Sequence, residues 1–234
     1  MRLLHCVASA TVLIALAACA PKPAPLPIPK PAPAPPVVVI PPRPLSPGSA
    51  AETQQVPMRD MAGRYLTINS GALAERAFWQ LKTGLNVAAI GCRGPDEATL
   101  VAAYNQIIKN HTRTIQAAEK KVIADLAKTN RTTGVKERDR LSTQLFNYFA
   151  QPPAQIEFCR RASMLAQTVA ATSSAQLFSN AEGHLATLDQ PFTDFYAAFE
   201  RYKIDSAVWD AQYAPHGVGV ASPPPVIATA GSGG

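Results

Sequence analysis

The sequence predicts an all-α protein, a single helical bundle of about five helices that follows a signal peptide and a Pro-rich linker. Between residues 66 and 213, apolar side chains recur every three or four positions, and the few prolines lie between these periodic segments. No alternating run of useful length predicts a strand. A body of about 150 residues can bury a sizeable core, so we expect one domain, residues 51–214.

The first residues have the pattern of an export signal. Arg2 precedes an apolar run, residues 7–16, which is shorter than the roughly 20 residues of a membrane-spanning helix. The run closes with Leu16-Ala17-Ala18-Cys19, which resembles the lipobox of bacterial lipoprotein precursors. The resemblance implies a signal peptide at residues 1–18 and acyl chains on Cys19 that hold the protein on a bilayer. A permanent transmembrane anchor and cleavage without lipidation are the alternatives.

The residues after Cys19 bear on the choice of membrane. In Gram-negative lipoproteins an Asp at the next position favours retention in the inner membrane, and here the residues are Ala20 and Pro21. This resemblance implies an outer-membrane lipoprotein whose domain faces the periplasm. The inner membrane and the cell surface remain alternatives.

Residues 19–50 form the predicted linker. Residues 21–47 contain 13 of the 22 prolines of the chain, in a register that favours extended polyproline II. At about 3.1 Å per residue this segment would reach on the order of 80 Å. A semi-rigid tether is the simpler interpretation, and a Pro-rich recognition ligand is the alternative.

The linker is basic, whereas the body is nearly neutral. Lys22, Lys30 and Arg43 are its charged residues, and without them and Arg2 the chain has 18 basic and 16 acidic residues. The high pI therefore does not indicate nucleic-acid binding. Anionic lipid, lipopolysaccharide phosphate or an acidic wall polymer is the expected partner of the basic arm.

Each helix is predicted from one stripe of apolar residues at helical spacing. The first covers residues 71–90, with Asn69 or Ser70 as its cap, and the second, the longest, starts at Pro95 and runs for about seven turns. The stripes are Phe78, Leu81, Leu85, Ala88 and Cys92 for the first, and Leu100, Tyr104, Ile107, His111, Ile115, Ala118, Val122 and Leu126 for the second.

The remaining helices follow the polar residues 129–134. The third ends at Pro152-Pro153, residues 172–174 offer a cap for a short segment, and Pro191 separates that segment from an aromatic last helix. The stripes are Leu141, Leu145, Tyr148 and Phe149; then Ile156, Cys159, Ala162, Leu165, Ala166 and Val169; then Leu177, Leu185 and Leu188; and finally Phe192, Phe195, Phe199 and Tyr202. We interpret the last set as core, with an aromatic binding groove as the alternative. Residues 215–234 are expected to be a disordered tail.

Two cysteines besides Cys19 remain in the mature chain. Cys92 and Cys159 both lie on apolar stripes, and in an oxidising periplasm such a pair predicts a disulfide. Two free buried thiols are the alternative. Their spacing, without nearby ligand partners, does not predict a metal site.

The sequence offers little for catalysis. His111 lies on an apolar stripe, which favours a core or interface role, and His184 lies near Glu182 and Asp189. No nucleophile elbow, zinc-protease motif, phosphate loop or dinucleotide fingerprint is present in the sequence, so no catalytic residue and no cofactor is predicted.

Charge is distributed unevenly along the body. Residues 109–140 carry nine basic and four acidic side chains, and residues 182–210 carry six acidic and two basic ones. Solvated faces explain this pattern most simply; docking of an anionic partner and pairing between helices are the alternatives.

The segment Phe78-Trp79-Gln80-Leu81, with Leu85-Asn86-Val87-Ala88-Ala89 and Cys92, resembles small cell-envelope proteins of uncharacterised function. The resemblance covers roughly residues 75–165, supports the pairing of Cys92 with Cys159 and implies no activity. We therefore expect a non-catalytic binding or scaffolding module in the envelope. The alternatives are a periplasmic hydrolase acting on cell wall or lipid, with His111 or His184 as base, and a purely structural tether.

Overall fold

The computed structural model describes residues 39–130 and 133–214. The predicted signal peptide, Cys19, most of the linker and the predicted tail lie outside these residues. In the described part, six α-helices follow an irregular N-terminal segment, and the only β feature is an isolated bridge between Arg59 and Tyr65. The all-α prediction is confirmed, with six helices where about five were expected. The helices are α1 Ala74–Gly91, α2 Glu97–Asn110, α3 Thr112–Asn130, α4 Gly134–Phe149, α5 Gln155–Ala171 and α6 Leu177–Tyr213.

The second predicted helix is two helices. His111 leaves the helical conformation, with φ −119° and ψ 19°, and separates α2 from α3. The break gives each helix its own neighbours, since α2 packs mainly on α5 whereas α3 packs on α4 and α1. The spacing of apolar residues continues without interruption through His111, because the buried positions of α2 and α3 are in phase. Periodicity alone therefore cannot detect the change in direction of the helix axis.

Pro191 is not a helix boundary, contrary to the prediction. It lies inside α6, one continuous helix of 37 residues. Proline in a helix interior removes a backbone hydrogen bond and costs about 3 kcal/mol. Pro191 is itself buried together with Leu188 and Phe192, and α6 packs along α1 and α5. Burial of this long face offsets the local cost.

The predicted caps are also used differently. α1 starts after Leu73 without a side-chain cap, and the Asn69 side chain bonds to Asp189 instead. α6 starts after Gln176, again without a side-chain cap, while Ser174 bonds to His111. In each case the polar side chain that was predicted to cap a helix forms a hydrogen bond with a residue distant in sequence instead.

The centre of the bundle is aromatic. Phe149 of α4, Phe158 of α5 and Phe192 of α6 are fully buried, with ring centroids 5.4 to 5.8 Å apart. Further along α6, Phe195, Phe199 and Tyr202 are also buried. The aromatic residues of the last segment therefore belong to the core, as interpreted from their spacing.

Candidate functional site

The predicted cross-link is present. Cys92, just after α1, and Cys159, in the second turn of α5, form a disulfide with their Cα atoms 5.6 Å apart. It joins two helices that are separated by 67 positions in sequence. The disulfide prediction is confirmed, whereas Cys19, the predicted lipidation site, lies outside the described residues.

His111 is a buried residue at the α2–α3 break. Its side chain is 5% exposed, and Nδ1 lies 2.8 Å from Oγ of Ser174, in the loop before α6. Nε2 is buried without a hydrogen-bond partner in the described part of the chain. Burial lowers the pKa of His111 below its ordinary value. The residue therefore fastens a helix junction, which agrees with the interpretation from its stripe.

His184 is half-buried on α6, and burial lowers its pKa as well. Within residues 39–130 and 133–214 it makes no hydrogen bond or ion pair. Its sequence neighbour Glu182 accepts a hydrogen bond from the backbone N–H of Ala74, and Asp189 is bonded to other partners. Among the described side chains, no carboxylate forms a hydrogen bond or ion pair with either histidine.

A polar cluster from three parts of the chain surrounds Asp189, in the middle of α6. Oδ1 accepts hydrogen bonds from Asn69 Nδ2 at 2.5 Å and from Tyr148 OH at 2.7 Å. Oδ2 accepts one from Thr67 Oγ1 at 2.8 Å. Three neutral donors from two other parts of the chain thus meet one carboxylate.

Burial dominates the electrostatics of this cluster. It raises the pKa of Asp189 above the ordinary value, although the three hydrogen bonds oppose the shift. The pKa of Tyr148 is raised strongly, first by burial and then by the nearby carboxylate. The phenol of Tyr148 therefore stays protonated at neutral pH, and its bond to Asp189, with those from Thr67 and Asn69, holds three chain segments together.

We call residues 40–73 the strap. They precede α1, and side chains of α6 bind them at three successive places. Asp189 holds Thr67 and Asn69, as described above. In the middle place, Glu200 Oε2 accepts hydrogen bonds from Tyr65 OH at 2.7 Å and from Arg59 Nη2 at 2.5 Å. The Arg59 guanidinium also lies 4.0 Å from the Tyr65 ring centroid, in a cation–π contact.

The third place is the end of the Pro-rich segment. Arg43 donates from Nε and Nη2 to the two carboxylate oxygens of Asp210, each at 2.9 Å. Arg43 Nη1 lies 3.3 Å from Tyr202 OH, and Trp209 Nε1 donates to the backbone oxygen of Pro41 at 2.8 Å. We call these contacts of Arg43 and Pro41 the clamp. The linker was predicted to run to residue 50, and its residues Pro41 and Arg43 are bound to α6.

Both the acidic and the basic segment use charged side chains for contacts within the protein. Asp189, Glu200 and Asp210 of the acidic segment bind the strap. In the basic segment, Arg138 of α4 pairs with Glu119 of α3 at 2.9 Å. Pairing within the protein, one of the alternatives from the sequence, thus accounts for part of the pattern.

Sequence reasoning missed Asp189 as the centre of a cluster. Its position held a usable signal, since it follows Leu185 by four residues and precedes Phe192 by three, on the buried face of α6. The pairing of Arg43 with Asp210 had no such signal, because 167 residues separate them.

Among the described side chains, no group of three or more His, Cys, Asp or Glu is placed to hold a metal ion. None of the helices in residues 39–130 and 133–214 is both long and apolar enough to cross a bilayer. Compared with known protein families, curated proteins and solved structures, the chain matches none of them.

Proposed function

We propose that the protein is a lipoprotein anchored through acyl chains on Cys19, and that its helical domain is a non-catalytic binding or scaffolding module of the cell envelope. The lipobox supports the anchor, and Ala20 with Pro21 favours the outer membrane with the domain in the periplasm. The expected partners are the bilayer, an envelope protein, and anionic groups of the wall or of lipopolysaccharide.

The clamp is the observation that carries this proposal. Arg43 and Pro41 belong to the Pro-rich segment that leads to the anchor, and Asp210 and Trp209 hold them on α6. The end of the Pro-rich segment, at Pro41 and Arg43, is therefore held on α6 by specific contacts. Such contacts suit a scaffold, because they fix the point at which the Pro-rich segment reaches the helical body.

The clamp also distinguishes the two ends of the helical body. Residues 41 and 214 both lie at the C-terminal end of α6, next to the clamp. A helix of 37 residues extends about 55 Å at 1.5 Å per residue. The opposite end carries the start of α6 and the α2–α3 break, where His111 meets Ser174. We expect partners to bind at that end, away from the attachment of the tether.

Lipidation is tested by feeding growing cells a fatty acid with an alkyne tag and detecting the tag on the purified protein. Cys19→Ser is the control. We expect a tag on the wild type that is lost in Cys19→Ser together with membrane association. A tag-free wild-type protein released as a soluble species would contradict the anchor.

Partner binding is tested by photo-crosslinking in intact envelopes, with adducts identified by mass spectrometry. A photoreactive residue replaces Arg113, an exposed position next to the α2–α3 break, and the matched control replaces Lys203, an exposed position near the clamp. We expect a discrete protein adduct from position 113 that depends on Cys19. Adducts only to glycan or lipid, or none at either position, would contradict the scaffold.

A purely structural tether is an alternative function, and the clamp makes it testable. Deletion of residues 22–39 shortens the arm and leaves Arg43 and Pro41 in place. If the arm acts only as a spacer, this deletion abolishes function, whereas changes at the α2–α3 end do nothing. For the proposed module we expect the reverse order of severity.

A further inference from the structure

A small polar cavity lies where α1, α3 and α4 meet. It encloses about 90 Å³, and each of the three helices packs against the other two. Charged and polar side chains make up much of its wall, and they come from all three helices. Its charged members are Lys82, Glu119 and Arg138, and Trp79, Thr83 and Asn86 lie beside them.

Lys82 is the first unusual group in this wall. It lies on α1 between the buried residues Leu81 and Thr83, and its own side chain is half-buried. Within the described residues its ammonium group has no hydrogen-bond or ion-pair partner. Burial lowers its pKa, the nearby Arg138 acts in the same direction, and Glu119 opposes both.

Arg138 contributes a second cation with spare donor capacity. Its Nη1 pairs with Glu119 Oε1 at 2.9 Å, and its Nη2 lies 3.3 Å from Asp139 Oδ1. Its Nε is buried and has no acceptor in the described part of the chain. The two carboxylates therefore occupy the end of the guanidinium and leave one N–H unused.

Trp79 adds a neutral donor. Its indole N–H donates to no acceptor among the described residues and is not one of their buried unsatisfied atoms, so it is available to water or to a ligand. In contrast, the amide of Asn86 donates to Tyr104 OH at 2.6 Å, and the Thr83 hydroxyl donates to the Trp79 carbonyl at 2.8 Å.

The wall therefore holds donors that lack acceptors. Arg138 is paired with Glu119 and Asp139, whereas the other cation, Lys82, has no ion-pair partner among the described residues. We infer that this cavity binds a small oxyanion, a carboxylate or a phosphate group, held by Lys82, Arg138 and Trp79. Such an anion would accept hydrogen bonds from the Lys82 ammonium and from the unused Arg138 Nε, and these charge-assisted bonds are stronger than neutral ones.

The size of the cavity limits the ligand. About 90 Å³ has room for a few water molecules or one compact anion, and not for a sugar ring or a whole headgroup. The ligand is thus a free inorganic anion, or the terminal group of a slender chain that enters from the surface. An acidic side chain of a protein partner and a phosphate of a lipid or polysaccharide share this chemistry.

The role of this site in partner recognition rests on the proposed function, because the site would give the binding module its recognition chemistry. Whether the cavity binds an anion can be measured independently of that function. The full mature chain carrying Cys19→Ser is titrated with inorganic phosphate and, separately, with acetate, while calorimetry measures the dissociation constant. The variants are Lys82→Met and Trp79→Phe. The matched control is Lys120→Met, an exposed lysine on α3 that does not line the cavity.

We expect the control to bind like the wild type and Lys82→Met to bind at least about tenfold more weakly, as loss of one charged hydrogen bond requires. Trp79→Phe should weaken binding less, because it removes a neutral donor. Tighter binding of phosphate than of acetate would identify a phosphate site, and the reverse would identify a carboxylate site. NMR of ¹³C-labelled lysine should show that the bound anion raises the pKa of Lys82.

Two results would overturn the inference. One is no binding of either anion at millimolar concentration, together with a Lys82 resonance that does not respond. The other is equal affinity in the wild type and in a folded Lys82→Met variant. If phosphate binds but envelope cross-linking at position 113 fails, the scaffold proposal is wrong and the anion site stands. If protein adducts form but neither anion binds, the anion site is wrong and the scaffold proposal stands.

Discussion

Arg43 and Asp210 form a two-bond pair across nearly the whole described chain. The guanidinium donates from Nε and Nη2 to the two carboxylate oxygens, and 167 positions separate the residues. Planar guanidinium and carboxylate groups match in this geometry, which lysine cannot reproduce with a single ammonium. The pair fixes the last part of a Pro-rich segment on the end of α6.

Replacement of Arg43 by lysine should therefore loosen the clamp. We expect faster hydrogen exchange of residues 41–54, including the amide of Ala50 that donates to Pro47, with little change in the rest of the fold. The effect should grow at low salt, where the wild-type pair is strongest. Arg64→Lys is the control, because Arg64 pairs with Asp60 only four positions away. Unchanged exchange at residues 41–54 would show that the clamp does not hold the segment.

Two helical glycines should respond oppositely to alanine. At Gly84 of α1 a Cβ atom would lie 2.7 Å from Leu188 Cδ2 and 2.9 Å from Phe149 Cζ, whereas at Gly183 of α6 nothing lies within 4 Å. We expect Gly84→Ala to lower the free energy of unfolding by about 1–3 kcal/mol through overpacking. Gly183→Ala should raise it by about 0.5–1 kcal/mol. Urea titrations measure both, and a stabilised Gly84→Ala would contradict the packing of α1 on α6.

Loss of the Asp189 carboxylate should leave the donors of Thr67, Asn69 and Tyr148 without their acceptor. We expect Asp189→Ala to lower the free energy of unfolding by on the order of 3 kcal/mol, since each unsatisfied buried group costs about 1–3 kcal/mol. Asp194→Ala is the control, an exposed acid on the same helix, with an expected change within about 0.5 kcal/mol. Equal effects of the two variants would contradict the cluster.

The same carboxylate predicts a pH dependence. Its pKa is raised in the folded state, so the fold favours the protonated form. The contribution to stability is then complete below the ordinary Asp pKa of about 3.8 and is lost as the pH rises through the folded-state value. We expect the unfolding free energy of the wild type to fall relative to Asp189→Asn over that range. A difference that stays constant with pH would show that the three hydrogen bonds cancel the effect of burial.

The disulfide should contribute strongly to stability. It closes a loop of 67 positions, which corresponds to about 4 kcal/mol of loop entropy in the unfolded chain. The double variant Cys92→Ala with Cys159→Ala should keep its far-UV circular dichroism and lose stability by about that amount, less any gain from relaxed packing. Reduction of the wild type should give the same urea midpoint as the double variant. A midpoint equal to that of the oxidised wild type would exclude a structural role.

Polar and proline-rich breaks in the sequence predicted two of the helix boundaries. α3 ends at Asn130 and α4 begins at Gly134, both inside the predicted polar break, and Pro152-Pro153 does lie between α4 and α5. Cys92 and Cys159 were paired correctly because only two cysteines remain beyond Cys19 and both lie on apolar stripes. Lys82 had no signal, because an isolated lysine on a helix is usually a surface residue.

The sequence by itself determined the helical class, the disulfide and the aromatic core, since spacing along the chain sets which side chains share a helix face. Only the tertiary structure decided that α2 and α3 separate at His111, that α6 continues through Pro191, and that residues 40–73 bind α6. These features depend on contacts between distant residues. Their energies exceed local preferences such as the cost of about 3 kcal/mol for a helical proline, and local patterns do not encode them.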